Sequence, residues 1–202
     1  MHKKKVWILG VICLVVIVLS LGAAYIFNHS EKKQMTVTSS GLKDGIWEEK
    51  FGAKGTQFNE NDIPNYSIPF KIENAPDNTK SYALVLEDKD AYEVTNGIIW
   101  IHWIAANITS TTMEENASVK DADQFVQGVN SWMTLEGGQQ NQKLSSFYGG
   151  MAPPNKPHKY DLHVYALDTL LTLKNGFYLN QLYEEMDGHV LSEFTLSGEY
   201  KN

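Results

Sequence analysis

The sequence predicts a mainly β fold, a sandwich of antiparallel sheets with one or two short peripheral helices, preceded by a single N-terminal membrane helix. Three observations support this. Short apolar runs of strand length recur along the chain, separated by Gly, Pro, Asn and Asp, which is the punctuation of an all-β domain. The run from Ile98 to Ala106 is apolar at odd and even positions alike, His102 apart, as in a strand covered on both faces. The first 27 residues instead join a basic start to an unbroken apolar stretch, the pattern of a segment that sits in lipid.

Residues 1–5 contain Lys3, Lys4 and Lys5, and 22 uncharged, mostly apolar residues follow from Val6 to Phe27. At about 1.5 Å per residue, that helix is roughly 33 Å long against a hydrocarbon core of about 30 Å. Residues 6–27 therefore read as a transmembrane anchor or uncleaved signal. Gly22, Ala23 and Ala24 resemble a processing site, so secretion after cleavage is the alternative. Tyr25, Ile26 and Phe27 carry the apolar run past that site, which favours the anchor. The lysines stay on the cytoplasmic side, giving a single-pass protein of the cell membrane with its domain outside the cytoplasm. Cys13 is the one cysteine, so no intrachain disulfide can form.

Residues 28–40, with His29, Glu31, Lys32, Lys33 and Gln34, read as a polar stalk, and residues 41–202 as one domain. Within it, Ser81 to Leu86, Ile98 to Ala106 and Lys159 to Leu167 are strands. Thr109 to Ser146 is polar and without period, so it reads as a long connection with a helical turn, and connections of that length are usually functional or mobile. Asn175 to Met186 reads as a short helix on Phe177, Leu179, Leu182 and Tyr183, before a strand from Val190 to Leu196.

All 17 cationic residues are lysines, and beyond the first three, 14 lysines face 24 acidic residues, a formal charge of −10. That excludes nucleic acid, whose phosphates need a basic face, and broad attachment to anionic lipid. An anion would have to be held by local geometry and backbone dipoles.

The tract from Tyr148 to Tyr160 holds Gly149, Gly150, Pro153, Pro154, Pro157 and His158. Glycines allow backbone N–H groups close to a ligand, prolines fix the loop, and His and Tyr supply directional hydrogen bonds. His158 and Tyr160 share a face by period two, and His163 falls on the other. Asp88 and Asp90 follow a strand and share a side if the extended backbone continues. Such a pair can share a proton, bind a metal or accept from a ligand. Alternation places Trp100 and His102 on one face, Ile101 and Trp103 on the other. A buried histidine needs a hydrogen-bond partner, and one beside carboxylates is expected to favour its charged form.

Together these residues resemble the phosphatidylethanolamine-binding proteins, specifically the bacterial Raf-kinase-inhibitor-like branch of YbhB/YbcL type. The resemblance runs from about Tyr66 to Tyr200. Ser67, Pro69, Phe70 and Pro76 look like the family's Ser-Pro-Pro-Leu segment, and Asp88, Asp90 and Ala91 like its Asp-Pro-Asp-Ala-Pro. Trp100, His102 and Trp103 match its His-Trp strand. Gln127, Gly128, Asn130 and Ser131 match its Gln-Gly-x-Asn loop, and Tyr148, Gly150, Pro153, Pro154, His158 and Tyr160 its Tyr-x-Gly-Pro-x-Pro-Pro to His-Arg-Tyr signature. Tyr165, Ala166, Leu167 and Asp168 follow as its Tyr-Ala-Leu-Asp. The resemblance implies two antiparallel sheets with a small anion pocket at one end, lined by Asp88, Asp90, Trp100, His102, Gly150, His158 and Tyr160, with Ala152 contributing through its backbone. Lys89 and Tyr92 replace two prolines, Met151 another, Ile72 a tryptophan and Lys159 an arginine. The lost prolines leave those loops less rigid, and Lys89 adds a cation near the mouth.

The functional expectation is a binding module for a small anion or phosphorylated headgroup, without turnover, cofactor or metal, that acts by docking a partner protein. One alternative is an inhibitor of an exported peptidase, acting through the 109–146 loop. Another is a metal-assisted hydrolase using His102, His158, Asp88 and Asp90. The sequence has no HExxH, paired-Cys set or G-x-S-x-G elbow to signal one.

Overall fold

Ten strands form among the described residues, 33–202 of a computed structural model. They are β1 (Thr36–Thr38), β2 (Leu42–Lys43), β3 (Ile46–Trp47), β4 (Phe70–Glu73), β5 (Ser81–Asp88), β6 (Trp100–Ile108), β7 (Thr112–Met113), β8 (Val126–Gln127), β9 (His158–Leu167) and β10 (Val190–Tyr200). One sheet runs β1-β4-β7, the other β2-β3-β10-β9-β5-β6-β8. Between these strands pairing is antiparallel except where Glu199 of β10 meets Ile46 of β3 in parallel.

The long strands sit where the long apolar runs are. All eight residues of β5 are buried, because its two faces serve different cores. Leu84 and Leu86, with Trp103, Leu162 and Val164, pack against Val37, Phe70, Ile72 and Met113 of the smaller sheet. Ala83 and Val85, with Ile104 and Ala106, pack against Leu171, Phe177, Leu182 and Met186. Each such Val, Leu, Ile, Phe or Met side chain contributes about 1.5–3 kcal/mol on full burial. The two-faced apolar pattern of β6 reports this double cover.

Among the described residues, three short α-helices lie outside the sheets: α1 (Ala117–Lys120), α2 (Gln142–Ser145) and α3 (Leu179–Met186). The last is the helix expected from Asn175 to Met186, shortened at its start, where the Gln181 side chain accepts from the Tyr178 backbone N–H.

One expectation lies beyond the described residues, and two others need correction. The segment read as a membrane helix, residues 6–27, lies outside the described residues, and among the described residues no helix is long and apolar enough to cross a membrane. The stalk ends sooner than residue 40: Met35 and Val37 are buried, and β1 pairs with β4 through Val37 and Ile72. The 109–146 segment is not one long connection. It holds β7, α1, β8 and α2 and adds β8 to the edge of β6 through Ala105 and Gln127. Its backbone is satisfied by neighbours, which a polar sequence without period does not reveal.

Gly128 fastens that segment to the sheet. Its N–H donates to the Ile104 carbonyl at 2.9 Å, and a β-carbon there would stand 2.4 Å from Ile104 Cδ1 and 2.6 Å from the Phe177 carbonyl oxygen. Gly128→Ala is therefore expected to cost about 1–3 kcal/mol, read as a lower urea midpoint at unchanged slope.

Candidate functional site

Strand register assembles the site. Asp88, the last residue of β5, lies opposite Trp100 of β6 on one side and Tyr160 of β9 on the other. Between Leu86 and Glu87 the β5–β6 register shifts, which inserts His102 as an extra residue in β6. A bulge breaks period two and re-aims a side chain. Ile101 and Trp103, expected on one face, therefore part: Trp103 joins the inter-sheet core and Ile101 packs on the outer one. His102 turns to the inner side, its ring edge-on to Tyr160 with centroids 5.1 Å apart.

The Gly/Pro tract clamps this histidine. Gly149 N–H donates to the His102 carbonyl at 2.8 Å, and His102 Nδ1 lies 2.6 Å from the Gly149 carbonyl. A carbonyl only accepts, so Nδ1 bears the proton and Nε2 keeps its lone pair in the neutral ring. Burial pushes His102 below the usual histidine range, outweighing the nearby Asp88 charge, which acts the other way. The expectation that carboxylates would favour its charged form is thus reversed for His102, because desolvation dominates.

His158 is fully buried and joins Asp88 to the tract. Its Nδ1 stands 2.7 Å from Asp88 Oδ2 and its Nε2 2.8 Å from Asn155 Oδ1. The Asn155 amide is oriented by two neighbours: Oδ1 accepts from Lys156 N–H, and Nδ2 donates to Glu93. Both nitrogens of His158 therefore face oxygen. Asp88 Oδ1 also accepts from the Ala91 backbone N–H at 3.1 Å, which turns the chain into the 3-10 helix Asp90–Glu93.

That turn separates the two aspartates. Asp90 points away and accepts from Lys159 N–H, because the backbone does not stay extended after Asp88. A cavity of about 290 Å³ is lined by Asp88, Trp100, His102, Ala152 and His158, together with Ala91, Val94, Thr95, Trp132, Glu136 and Pro154. Of the eight expected residues, five meet there, while Asp90, Gly150 and Tyr160 do not line it. Gly150 packs behind the wall, donating to the Pro64 carbonyl. The tract's amides do not face a ligand as expected, since Gly149, Gly150 and Met151 donate to His102, Pro64 and Phe51. Tyr160 lies beneath the cavity. Its buried hydroxyl makes no hydrogen bond of full geometry among the described residues, although the Ala152 backbone and the Asp88 carboxylate both lie near enough to act on it, and burial, then the Asp88 charge, pushes it far above the usual tyrosine range.

Trp132 and Glu136 were not foreseen as lining residues. Ser131 beside them gives the cue, since its hydroxyl accepts from Ile101 N–H and docks the loop on β6. Lys89 does not sit at the mouth; it reaches the outer face of the sheet, toward Glu87 and Asp161. A larger hollow, of about 420 Å³ at Gln127, Gln142 and Asn175, has neither imidazole nor carboxylate on its walls. The hydrolase set of His102, His158, Asp88 and Asp90 does not converge on one point, because Asp90 turns outward and His158 is bonded at both nitrogens.

The family model described as phosphatidylethanolamine-binding protein matches residues 38–201. The protein YxkA of Bacillus subtilis is 40% identical over 151 residues, covering 74% of this chain and 85% of its own. Among solved structures, a putative phosphatidylethanolamine-binding protein homolog of Chlamydia trachomatis superposes with a TM-score of 0.68 at 28% identity, over 84% of this chain and 98% of its own. YbcL of E. coli, at 22% identity and a TM-score of 0.64 over 84% and 99%, shares the fold.

Proposed function

Because the chain belongs to the phosphatidylethanolamine-binding protein family, we propose that its cavity binds a small phosphorylated anion of the headgroup class, outside the cytoplasm and tethered by the N-terminal apolar segment. The observation behind this reading is the convergence of two histidines and one aspartate on one cavity, with the buried Tyr160 hydroxyl behind it. That hydroxyl borders the cavity through Asp88 and the Ala152 backbone, and a ligand oxygen within its reach would supply a full hydrogen bond where a buried unmade one costs about 1–3 kcal/mol. A singly protonated phosphomonoester offers acceptor oxygens to imidazole and phenol and one P–OH donor to a carboxylate, which suits a site that mixes both. Glu136 at the wall suits an amine on the same ligand. Such a site binds without turnover, and occupancy would be read by a partner protein at the face formed by the 131–136 loop.

The free His102 is held neutral by burial, and an anion beside Nε2 favours its charged form. The bound state then holds more protons than the free state, so affinity rises as pH falls. Between pH 8 and 6, phosphoethanolamine binding by the full-length chain in detergent should tighten by up to about tenfold per pH unit for each proton taken up. His102→Asn should flatten the profile to the ligand's own titration. Tyr160→Phe, which keeps the fold, should weaken binding at every pH. Calorimetric titration decides, and an absence of saturable binding, or the same profile in His102→Asn, would overturn the reading.

A further inference from the structure

His163 points away from the anion cavity, and the function proposed above does not use it. We infer that it forms, with Glu87 and Asp161 on the outer face of β5 and β9, a binding site for one divalent transition-metal cation of the zinc class. Glu87 lies opposite Asp161 across the β5–β9 ladder, and His163 follows Asp161 by two residues on the same face. One ligand atom from each of the three lies within 4.8 Å of the others, and His163 Nε2 is 3.0 Å from Glu87 Oε1. Ligands bound at about 2.0–2.2 Å from a tetrahedral zinc stand roughly 3.3–3.5 Å apart, so small side-chain adjustments close the site and leave a fourth position for water.

Two further features support a cation here. A tethered cation already occupies the position: Lys89 Nζ lies 3.0 Å from Glu87 Oε1 and 3.3 Å from Asp161 Oδ2. The lysine is half exposed, as is Lys159, which stands 4.0 Å from Asp161 Oδ1. Only the ammonium end of these pairs is exposed, while the Glu87 and Asp161 carboxylates are largely covered, so a divalent ion that displaces Lys89 leaves those carboxylates paired and lets the lysine return to water. In addition, β10 orients two of the ligands from outside the group. Thr195 and Ser197 lie opposite His163 and Asp161; Thr195 Oγ1 is 2.9 Å from His163 Nδ1, and Ser197 donates to Asp161 Oδ1 at 2.5 Å. The Thr195 hydroxyl can donate or accept, so it donates to Nδ1 while Nε2–H points at Glu87 and accepts from Nδ1–H once Nε2 has given its proton to solvent and its lone pair to a metal. One imidazole with two carboxylates suits zinc, nickel, cobalt or copper better than calcium or magnesium.

The test is calorimetric titration of the untagged full-length chain in detergent with zinc chloride. The inference expects saturable binding of one zinc per chain. His163→Ala and the isosteric Glu87→Gln should each weaken it by at least about tenfold, and Lys89→Met should tighten it by removing the competing ammonium. An absence of saturable binding, unchanged affinity in His163→Ala and Glu87→Gln, or weaker binding in Lys89→Met would overturn it.

Discussion

Replacing Asp88 with alanine is expected to lower the unfolding free energy by about 2–6 kcal/mol, because two buried donors each lose their acceptor at about 1–3 kcal/mol apiece. Asp88 and His158 are both buried, and Oδ2 and Nδ1 are 2.7 Å apart. With the carboxylate gone, His158 Nδ1 loses its acceptor, while Nε2 stays engaged by Asn155. The Ala91 N–H loses its acceptor as well, so the 3-10 helix that walls the cavity loses its first fixed point. Asp88→Asn keeps the volume but must present an amide donor to one of two donors, and should cost about 1–3 kcal/mol. Urea unfolding of the single variants and of Asp88→Ala/His158→Ala provides the check. The double variant should lose less than the sum of the two, because His158 is harmful only when left alone; additive losses would mean that the pair does not act as a unit.

The sequence reveals the fold where chain length and burial coincide. β5, β6, β9 and β10 are eight to eleven residues each and bury continuous or alternating apolar sets that are visible without a structure. β2, β3, β7 and β8 are two residues each, too short for any period to appear. β1 was legible in principle, since Met35 and Val37 alternate with Thr36 and Thr38 and are buried, but its polar neighbours hid it. Residues in the candidate site that lie on long strands, Asp88, Trp100, His102 and His158, could be found from spacing and family resemblance. Spacing alone misplaced what depends on broken regularity: the bulge at His102, the helical turn after Asp88, and the direction of Lys89. Trp132 and Glu136 come from a loop whose position is set by tertiary hydrogen bonds, and no local pattern encodes that.

Trp103→Ala should cost about 3–5 kcal/mol, the range for removing a fully buried tryptophan, and should also weaken anion binding without touching the cavity. The indole is completely buried, edge-on to Phe125 and Tyr148 at 6.3 and 5.7 Å, and its Nε1–H donates to Gln127 Oε1 at 2.8 Å. Tyr148 leads the glycine tract: its hydroxyl donates to the Phe51 carbonyl and its backbone N–H to Ser118. A void at Trp103 frees the Tyr148 ring, and the next residue is Gly149, whose amide and carbonyl hold His102. Trp103→Phe separates packing from the polar bond, because it keeps most of the apolar area and loses the donor to Gln127, whose Oε1 still accepts from Ser118. It should cost about 1–2 kcal/mol and leave affinity nearly intact. Thermal unfolding and phosphoethanolamine titration of both variants, below the melting temperature of the weaker one, test the connection. If Trp103→Ala were destabilised yet bound the anion as the parent does, the tract would hold His102 independently of the core.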